Sequence, residues 1–68
     1  MNKDILAGKW KQVKGEVQTQ WGKLTSDELD QINGQREKLV GKLQERYGYT
    51  RDEAEREINE FFEKRNLA

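Results

Sequence analysis

The sequence contains neither cysteine nor histidine, and these two absences exclude a large part of protein chemistry. Without cysteine the chain cannot form a disulfide, use a thiolate nucleophile or build a cysteine zinc site. Without histidine it lacks the commonest general base, the serine and cysteine catalytic triads and imidazole ligands for metals. Its one serine, Ser26, has no imidazole base to activate it. We therefore expect no enzymatic activity, no metal and no cofactor.

Long apolar segments and a net charge are missing as well. The longest apolar runs are Ile5-Leu6-Ala7 and pairs such as Phe61-Phe62, which are far shorter than the ~20 residues that span a bilayer. The 13 basic and 13 acidic side chains cancel, so no overall field attracts nucleic acid or an anionic membrane. Charged residues make up 38% of the chain, and its mean hydropathy is −1.21. These features predict a soluble cytoplasmic protein that does not enter membranes.

The sequence does contain a regular pattern of glycines. Its six glycines form two trios, with a spacing of seven residues within each: Gly8, Gly15 and Gly22, then Gly34, Gly41 and Gly48. The second trio follows the first by 26 residues, and the same offset aligns Trp21 with Tyr47. Because internal similarity determines architecture, we interpret residues 8–33 and 34–59 as two copies of one unit. The alternative is chance similarity in a chain rich in lysine and glutamate.

Each copy is predicted to form a helix, a turn and a second helix. Apolar residues around the first copy follow the spacing of one helical face: Leu6, Trp10, Val13, Val17, Trp21 and Leu24. The sequences Thr25-x-x-Glu28 and Thr50-x-x-Glu53 are capping boxes. Such boxes begin helices because the two side chains satisfy backbone donors that have no partner within the helix.

These signals predict an all-α fold without strands, in which two α-hairpins form a single domain of 68 residues. The predicted helices span residues 4–21, 26–33, 36–47 and 51–65. Gly22 and Gly48 are predicted to end the two long helices as left-handed caps. The pattern leaves open whether the second and third helices are continuous through Gly34. Trp10 and Trp21 are predicted to anchor the core.

The first-helix glycines lie opposite the apolar face, and this position has two interpretations. Gly8 and Gly15 form either a smooth strip that another backbone can approach or merely weak helix positions, which cost ~1 kcal/mol each relative to alanine. The acidic run of the last helix is expected to be solvated and not catalytic, because acid–base work needs a cleft that separates the pKa values of paired carboxylates. That run comprises Asp52, Glu53, Glu57 and Glu60.

Charge changes sign along the chain. Residues 1–24 and 34–49 are net basic, whereas residues 25–33 and 50–68 are net acidic. This alternation favours ion pairs within each hairpin, although exposed pairs contribute only ~0–1 kcal/mol. A nucleic-acid interface would need its lysines on one stripe, but those of the first helix and the turn after it are spread widely around the helix axis. These lysines are Lys9, Lys11, Lys14 and Lys23.

Three segments resemble the CsbD-like family, and together they cover most of the chain. They are Gly8-Lys9-Trp10-Lys11-Gln12-Val13-Lys14-Gly15, Gln20-Trp21-Gly22-Lys23-Leu24-Thr25 and Gly41-Lys42-Leu43-Gln44-Glu45-Arg46-Tyr47-Gly48-Tyr49. The candidate motif residues are Gly8, Lys9, Trp10, Lys14, Gly15, Trp21, Gly22, Gly41, Tyr47 and Gly48. The resemblance implies a small bacterial stress-response protein of unassigned molecular activity, with no catalytic residues to transfer. It also implies a fold of two α-hairpins packed crosswise, similar to SAM-like domains.

The chain departs from the family pattern at Ile5-Leu6, where acidic or small residues are expected. This departure predicts that the N-terminal residues dock on the core. The first functional hypothesis is a non-enzymatic stress protein that acts as a hydrophilic protectant. The alternatives are a nucleic-acid-binding module and a protein–protein adaptor, the latter by fold analogy alone. We expect a monomer that does not bind nucleic acid tightly. The sequence does not identify a binding partner.

Overall fold

The computed structural model describes residues 8–65 of the chain. Within them, α-helices follow one another in the order α1 (Trp10–Gln20), α2 (Ser26–Ile32), α3 (Arg36–Tyr47) and α4 (Arg51–Lys64). These residues contain no strand, and the all-α prediction is confirmed. The bounds of the last three helices agree with the predicted ones to within one residue. The crosswise packing of the hairpins and the internal duplication stay predictions.

The predicted first helix is interrupted at Lys9. Gly8 is helical, Lys9 lies in a turn with φ −111° and ψ 10°, and α1 starts at Trp10. The carbonyl of Lys9 accepts the first helical hydrogen bond, from the amide of Val13 at 2.9 Å. Residues 4–7 of the predicted helix, and the predicted docking of Ile5 and Leu6 on the core, lie outside the described residues.

The predicted left-handed cap at Gly22 was wrong. Of the described glycines, Gly34 and Gly48 have a positive φ, and Gly22 does not. The chain instead leaves α1 at Trp21, which adopts φ −123° and ψ 79° while its amide still donates to the carbonyl of Val17. The Trp21 ring is buried. The packing of this ring in the core, and not a left-handed glycine, therefore determines the direction in which the chain leaves α1.

Asn33 and Gly34 separate α2 from α3, which settles whether these helices are continuous. Asn33 has φ 47° and Gly34 has φ 78°, so two consecutive residues are left-handed. A right-handed helix cannot continue through such a pair, and asparagine and glycine are the residues that adopt this region most readily. The amide of Asn33 closes α2 on the carbonyl of Leu29 at 3.1 Å.

Both capping boxes form as predicted. At the start of α2, the Glu28 amide donates to Thr25 Oγ1 at 3.2 Å, and the Thr25 amide donates to Glu28 Oε1 at 3.1 Å. At the start of α4, the same two bonds join Thr50 and Glu53 at 3.1 and 2.8 Å. Gly48 ends α3 with φ 70°, which confirms its predicted role as a left-handed cap.

The buried apolar side chains form one core cluster. Its members are Trp10, Val13, Val17, Trp21, Leu24, Leu29, Ile32, Leu39, Val40, Leu43, Ala54, Ile58, Phe61 and Phe62. Trp21 lies on Phe61 with 5.0 Å between ring centroids, and Phe61 meets Phe62 edge-on at 5.3 Å. Trp10 and Trp21 are 7% and 2% exposed, so their prediction as core anchors is confirmed.

Candidate functional site

The tryptophans of the family motif are structural. Trp10 opens α1 and Trp21 directly follows it, and both rings point into the core. The indole Nε1 of Trp21 has no hydrogen-bond partner among the described residues, which is a cost of burying this ring. Neither ring is therefore presented at the surface, where a nucleic-acid base could stack on it.

Tyr47, the last residue of α3, forms a half-buried aromatic surface together with Tyr49. Their rings stack with 5.4 Å between centroids and an interplanar angle of 15°. The Lys23 amide donates to the Tyr47 hydroxyl at 3.2 Å, and Lys23 Nζ lies 5.1 Å from the centre of the Tyr47 ring. Burial raises the pKa of the Tyr49 hydroxyl, with the carboxylate of Glu57 the next cause. These contacts attach the turn after α1 to the end of α3.

The lysines of the motifs are divided between internal contacts and solvent. Lys14 forms an ion pair with Asp30 of α2, and Lys23 is engaged by Tyr47. Lys9 and Lys11 are exposed at the start of α1. The Lys14 pair is one of the predicted contacts within the first hairpin. Lys14 and Lys23 therefore already have partners within the fold. This leaves fewer basic side chains available to bind phosphates.

Within the described structure, steric crowding does not explain why glycine occupies the exposed glycine positions. A Cβ added at Gly8, Gly15, Gly22 or Gly41 would have no neighbouring atom within 4 Å. Gly15 lies in the interior of α1 and Gly41 in the interior of α3. A glycine at such a position destabilises a helix by ~0.5–1 kcal/mol relative to alanine. These two residues therefore lower the stability of their helices.

Gly41 also lies in a shallow groove beside α2. The groove has a volume of about 370 Å³ and is lined by Gln31, Lys38, Gly41, Lys42 and Glu45. Its charged lining residues are of both signs, with Lys38 and Lys42 basic and Glu45 acidic. Among the described residues, no group of acidic side chains is arranged to hold a metal ion.

A charged cluster that the sequence did not reveal surrounds Glu28. We call Thr25, Glu28, Lys42 and Arg46 the Glu28 cluster. Glu28 is 4% exposed and is the only buried charged side chain among the described residues. Its Oε1 accepts from the Thr25 amide, and its Oε2 lies 2.6 Å from Arg46 Nε and 3.7 Å from Lys42 Nζ. The cluster joins the start of α2 to the last turns of α3.

The electrostatics of the Glu28 cluster favour the ionised carboxylate. The hydrogen bond from the Thr25 amide, followed by that from Arg46, holds the pKa of Glu28 below its ordinary value, although burial opposes the shift. The hydrogen bond to Glu28 in turn raises the pKa of Arg46. A carboxylate held ionised in this way is poorly suited to act as a general acid. The cluster is therefore a structural contact between helices.

Further ion pairs join α3 to α4 and α1 to the end of α4. Arg51 Nη2 lies 2.7 Å from Glu37 Oε1, and Arg51 Nε lies 2.9 Å from Glu55 Oε2. Arg65 lies 3.9 Å above the Phe61 ring and 3.5 Å from Glu16 Oε1. In the pair of Arg51 with Glu37, the acidic residue lies on α3 and the basic residue on α4. This is the reverse of the net charges of the two segments, since residues 34–49 are net basic and residues 50–68 net acidic. Individual pairs therefore depend on facing positions more than on the net charge of a segment.

No helix within residues 8–65 has the length and apolar character needed to cross a membrane. Of the motif residues, Trp10, Trp21, Tyr47 and Gly48 serve packing, stacking or capping. The exposed motif residues are Gly8, Lys9, Gly15, Gly22, Gly41 and Gly48. The structure does not gather the motif residues into one cleft, but distributes them over the core, the helix ends and the surface.

Comparison with known proteins identifies the family. The CsbD-like family pattern matches residues 4–56. The UPF0337 protein YjbJ of Escherichia coli O6:H1 is 58% identical over 66 residues, which are 97% of this chain and 94% of the relative. A UPF0337 protein of Bordetella pertussis is 53% identical over 64 residues, which are 94% and 97% of the two chains. No solved structure matches the chain. The protein therefore belongs to the CsbD-like family of stress-response proteins.

Proposed function

We propose that this protein is a non-enzymatic protectant, which keeps other proteins hydrated and separated during osmotic, desiccation or stationary-phase stress. The observation that carries this proposal is the distribution of charge. The chain has 13 basic and 13 acidic side chains, and among the described residues the Glu28 carboxylate alone is buried. The other charged side chains of residues 8–65 lie at least partly exposed on a body of only 26 × 24 × 18 Å.

A dense surface of balanced charge has two consequences. Charged side chains bind water strongly, so a high concentration of the protein retains water around its neighbours. Because the signs cancel, the surface has no large field that would fix it to one polyanion or membrane. The described ion pairs, such as those of Arg51 with Glu37 and Glu55, compensate charge locally as well. Four of the motif residues, Trp10, Trp21, Tyr47 and Gly48, support this function by stabilising the fold that displays the charges.

The alternative of a specific partner predicts a different dependence on surface detail. A protectant that acts through charge density tolerates rearranged charges, whereas a partner-specific protein requires its contact face. Four exposed side chains without an ion pair in the described structure allow this to be tested: Lys11, Lys38, Glu60 and Glu63. A variant with Lys11→Glu, Lys38→Glu, Glu60→Lys and Glu63→Lys keeps both composition and net charge.

The experiment is survival after drying of a deletion strain that is complemented with the wild-type protein or with the charge-rearranged variant. Circular dichroism and the urea midpoint first establish that the variant is folded, and immunoblotting establishes equal abundance. We expect both proteins to restore survival equally. Complementation by the wild type alone would contradict the protectant function and favour a specific partner.

A further inference from the structure

Gly41 lies in the middle of α3, opposite the side chains that this helix buries. A helix turns by about 100° per residue, which places the buried Leu39 and Leu43 about 160° away from Gly41 on either side. Gly41 is exposed, and an added Cβ would have no neighbouring atom within 4 Å. The fold itself therefore gives no reason for a glycine here. A glycine on an exposed helix face allows another backbone to approach closely, which a larger side chain hinders.

The groove beside Gly41 presents one unpaired side chain of each charge. Lys38 and Glu45 line it, are exposed and form no ion pair among the described residues. Lys42, the remaining charged residue of the groove, is instead directed towards the fold, because its Nζ lies 3.7 Å from Oε2 of the buried Glu28. One cation and one anion of the groove are therefore available to a partner.

Lys38 and Glu45 are placed around Gly41 as a two-fold contact requires. Lys38 precedes Gly41 by three residues and Glu45 follows it by four, so they lie about 4.5 Å and 6 Å from it in opposite directions along α3. Around the helix axis both lie on the same side of Gly41, at about 60° and 40°. A two-fold axis that relates two antiparallel α3 helices reverses positions along the helix but keeps this side. Lys38 of each copy then meets Glu45 of the other, at heights that differ by only about 1.5 Å.

The other side of Gly41 adds no repulsion between the two copies. Glu37 and Gln44 occupy the corresponding positions there, four residues before Gly41 and three after it. By the same symmetry each Glu37 lies beside Gln44 of the second copy, whose side-chain amide can donate a hydrogen bond. Glu37 is also compensated within its own fold, since its Oε1 lies 2.7 Å from Arg51 Nη2. Like charges therefore do not face each other at these positions.

The matching glycine of α1 lacks this charge complementarity. Gly15 is likewise exposed in the interior of its helix, with open space for a Cβ. Its neighbours at the same four offsets include one basic residue and no acidic one; they are Lys11, Gln12, Gln18 and Thr19. Both glycines therefore leave the backbone open, but only the surface around Gly41 is complementary in charge to a second copy of itself.

We propose that two copies of this protein associate through an antiparallel, two-fold contact of their α3 helices, which is centred on Gly41 and held by two Lys38–Glu45 ion pairs. One polar helix face from each copy buries less than the ~1,200 Å² of a standard stable interface. The expected Kd is therefore roughly 0.1–1 mM, and the protein is a monomer at micromolar concentrations. This inference goes beyond the protectant function and does not rest on it, because a monomer displays the same charges.

Sedimentation equilibrium at low ionic strength, over about 50 μM to 5 mM protein, tests the association with charge reversals. Lys38→Glu and Glu45→Lys each place like charges opposite one another twice, and each should weaken the association about ten-fold or more. The double variant Lys38→Glu/Glu45→Lys restores opposite charges and should associate within about three-fold of the wild type. Lys11→Glu and Glu60→Lys change the net charge equally at exposed positions outside α3 and should leave the association unchanged. Circular dichroism establishes that each variant is folded.

The close approach at Gly41 is tested by Gly41→Gln, whose side chain occupies the space that the second backbone needs. Gly15→Gln makes the same change in α1 and is the matched control. We expect Gly41→Gln to abolish the association and Gly15→Gln to preserve it. A wild type that stays monomeric over the whole concentration range would overturn the proposal, as would a double charge variant that fails to associate or a Gly41→Gln variant that associates like the wild type. Growth beyond a dimer would contradict a closed two-fold contact.

Discussion

Arg46, near the end of α3, donates from Nε to Oε2 of Glu28 in the first turn of α2 over a distance of 2.6 Å. The contact links the two hairpins, because Glu28 belongs to the first and Arg46 to the second. The same carboxylate completes the capping box with Thr25 through its other oxygen. One side chain therefore both begins a helix and fixes its position against the next helix.

Replacing Glu28 by glutamine is expected to destabilise the protein at neutral pH, since Arg46 and Lys42 then lose their anionic partner. The pKa of Glu28 is lowered in the folded state, so its contribution is fully present above the unfolded pKa of about 4.3 and is lost as the pH falls through the folded value. The difference between wild type and Glu28→Gln should accordingly shrink below about pH 4. Urea unfolding at pH 7 and at acidic pH measures it.

Glu53→Gln provides the matched control, because Glu53 occupies the same position in the second capping box. Glu53 is exposed, and glutamine also serves at this position of a capping box. We expect the urea midpoint of Glu53→Gln to change less at pH 7 than that of Glu28→Gln. Equal changes in the two variants would show that the Arg46 contact does not contribute.

The two tryptophans are expected to fluoresce as buried side chains in the native protein. Truncating Trp21 to alanine removes a ring that packs on Phe61 and should destabilise the fold by ~3–5 kcal/mol, which approaches the whole stability of so small a domain. Trp21→Phe retains an aromatic ring and should remain folded with a smaller loss. Emission spectra and urea unfolding check these expectations. Water-like emission from both tryptophans of the wild type would contradict their place in the core.

Replacing Gly41 within α3 and Gly48 at its C-terminal cap by alanine is expected to change the stability of the protein in opposite directions. Gly48 has φ 70°, so Gly48→Ala should destabilise by ~1–2 kcal/mol, because a Cβ is unfavourable in the left-handed region. Gly41 lies within the helix with open space around it, so Gly41→Ala should stabilise by ~0.5–1 kcal/mol. Thermal unfolding followed by circular dichroism measures both. Stabilisation by Gly48→Ala would be incompatible with the left-handed cap.

Binding to random DNA is expected to be weaker than micromolar at physiological salt. The net charge is zero. Of the lysines near α1, Lys14 forms an ion pair with Asp30, and Lys23 lies over the Tyr47 ring. Few phosphates can then be neutralised together, so the affinity should change little with salt concentration. A salt titration by fluorescence anisotropy measures this. Submicromolar binding with a steep salt dependence would favour a nucleic-acid-binding function instead.

Features of the fold that depend on neighbouring residues were predictable from the sequence. The capping boxes at Thr25 and Thr50 formed as predicted, because both partners lie within one turn of the chain. The end of α3 at Gly48 followed from the tolerance of glycine for positive φ. The similar expectation for Gly22 failed, because the burial of Trp21 determines how the chain leaves α1.

Contacts between distant residues were not predictable in the same way. Glu28 and Arg46 are 18 residues apart, and the sequence identified Glu28 only as half of a capping box. The spacing of Lys42 and Arg46 places both on one face of α3, which could have indicated a basic face but not its partner. Their pairing with Glu28 depends on the packing of α2 against α3. Tertiary geometry, and not local pattern, determines which surface charges compensate one another.

The central claim is that the folded protein protects other proteins without performing a reaction. Recovery of lactate dehydrogenase activity after drying and rehydration tests it most directly, with the purified protein compared against an equal mass of albumin. We expect higher recovery with this protein, because its balanced charges retain water around the enzyme. Recovery no better than that with albumin would contradict the protectant function.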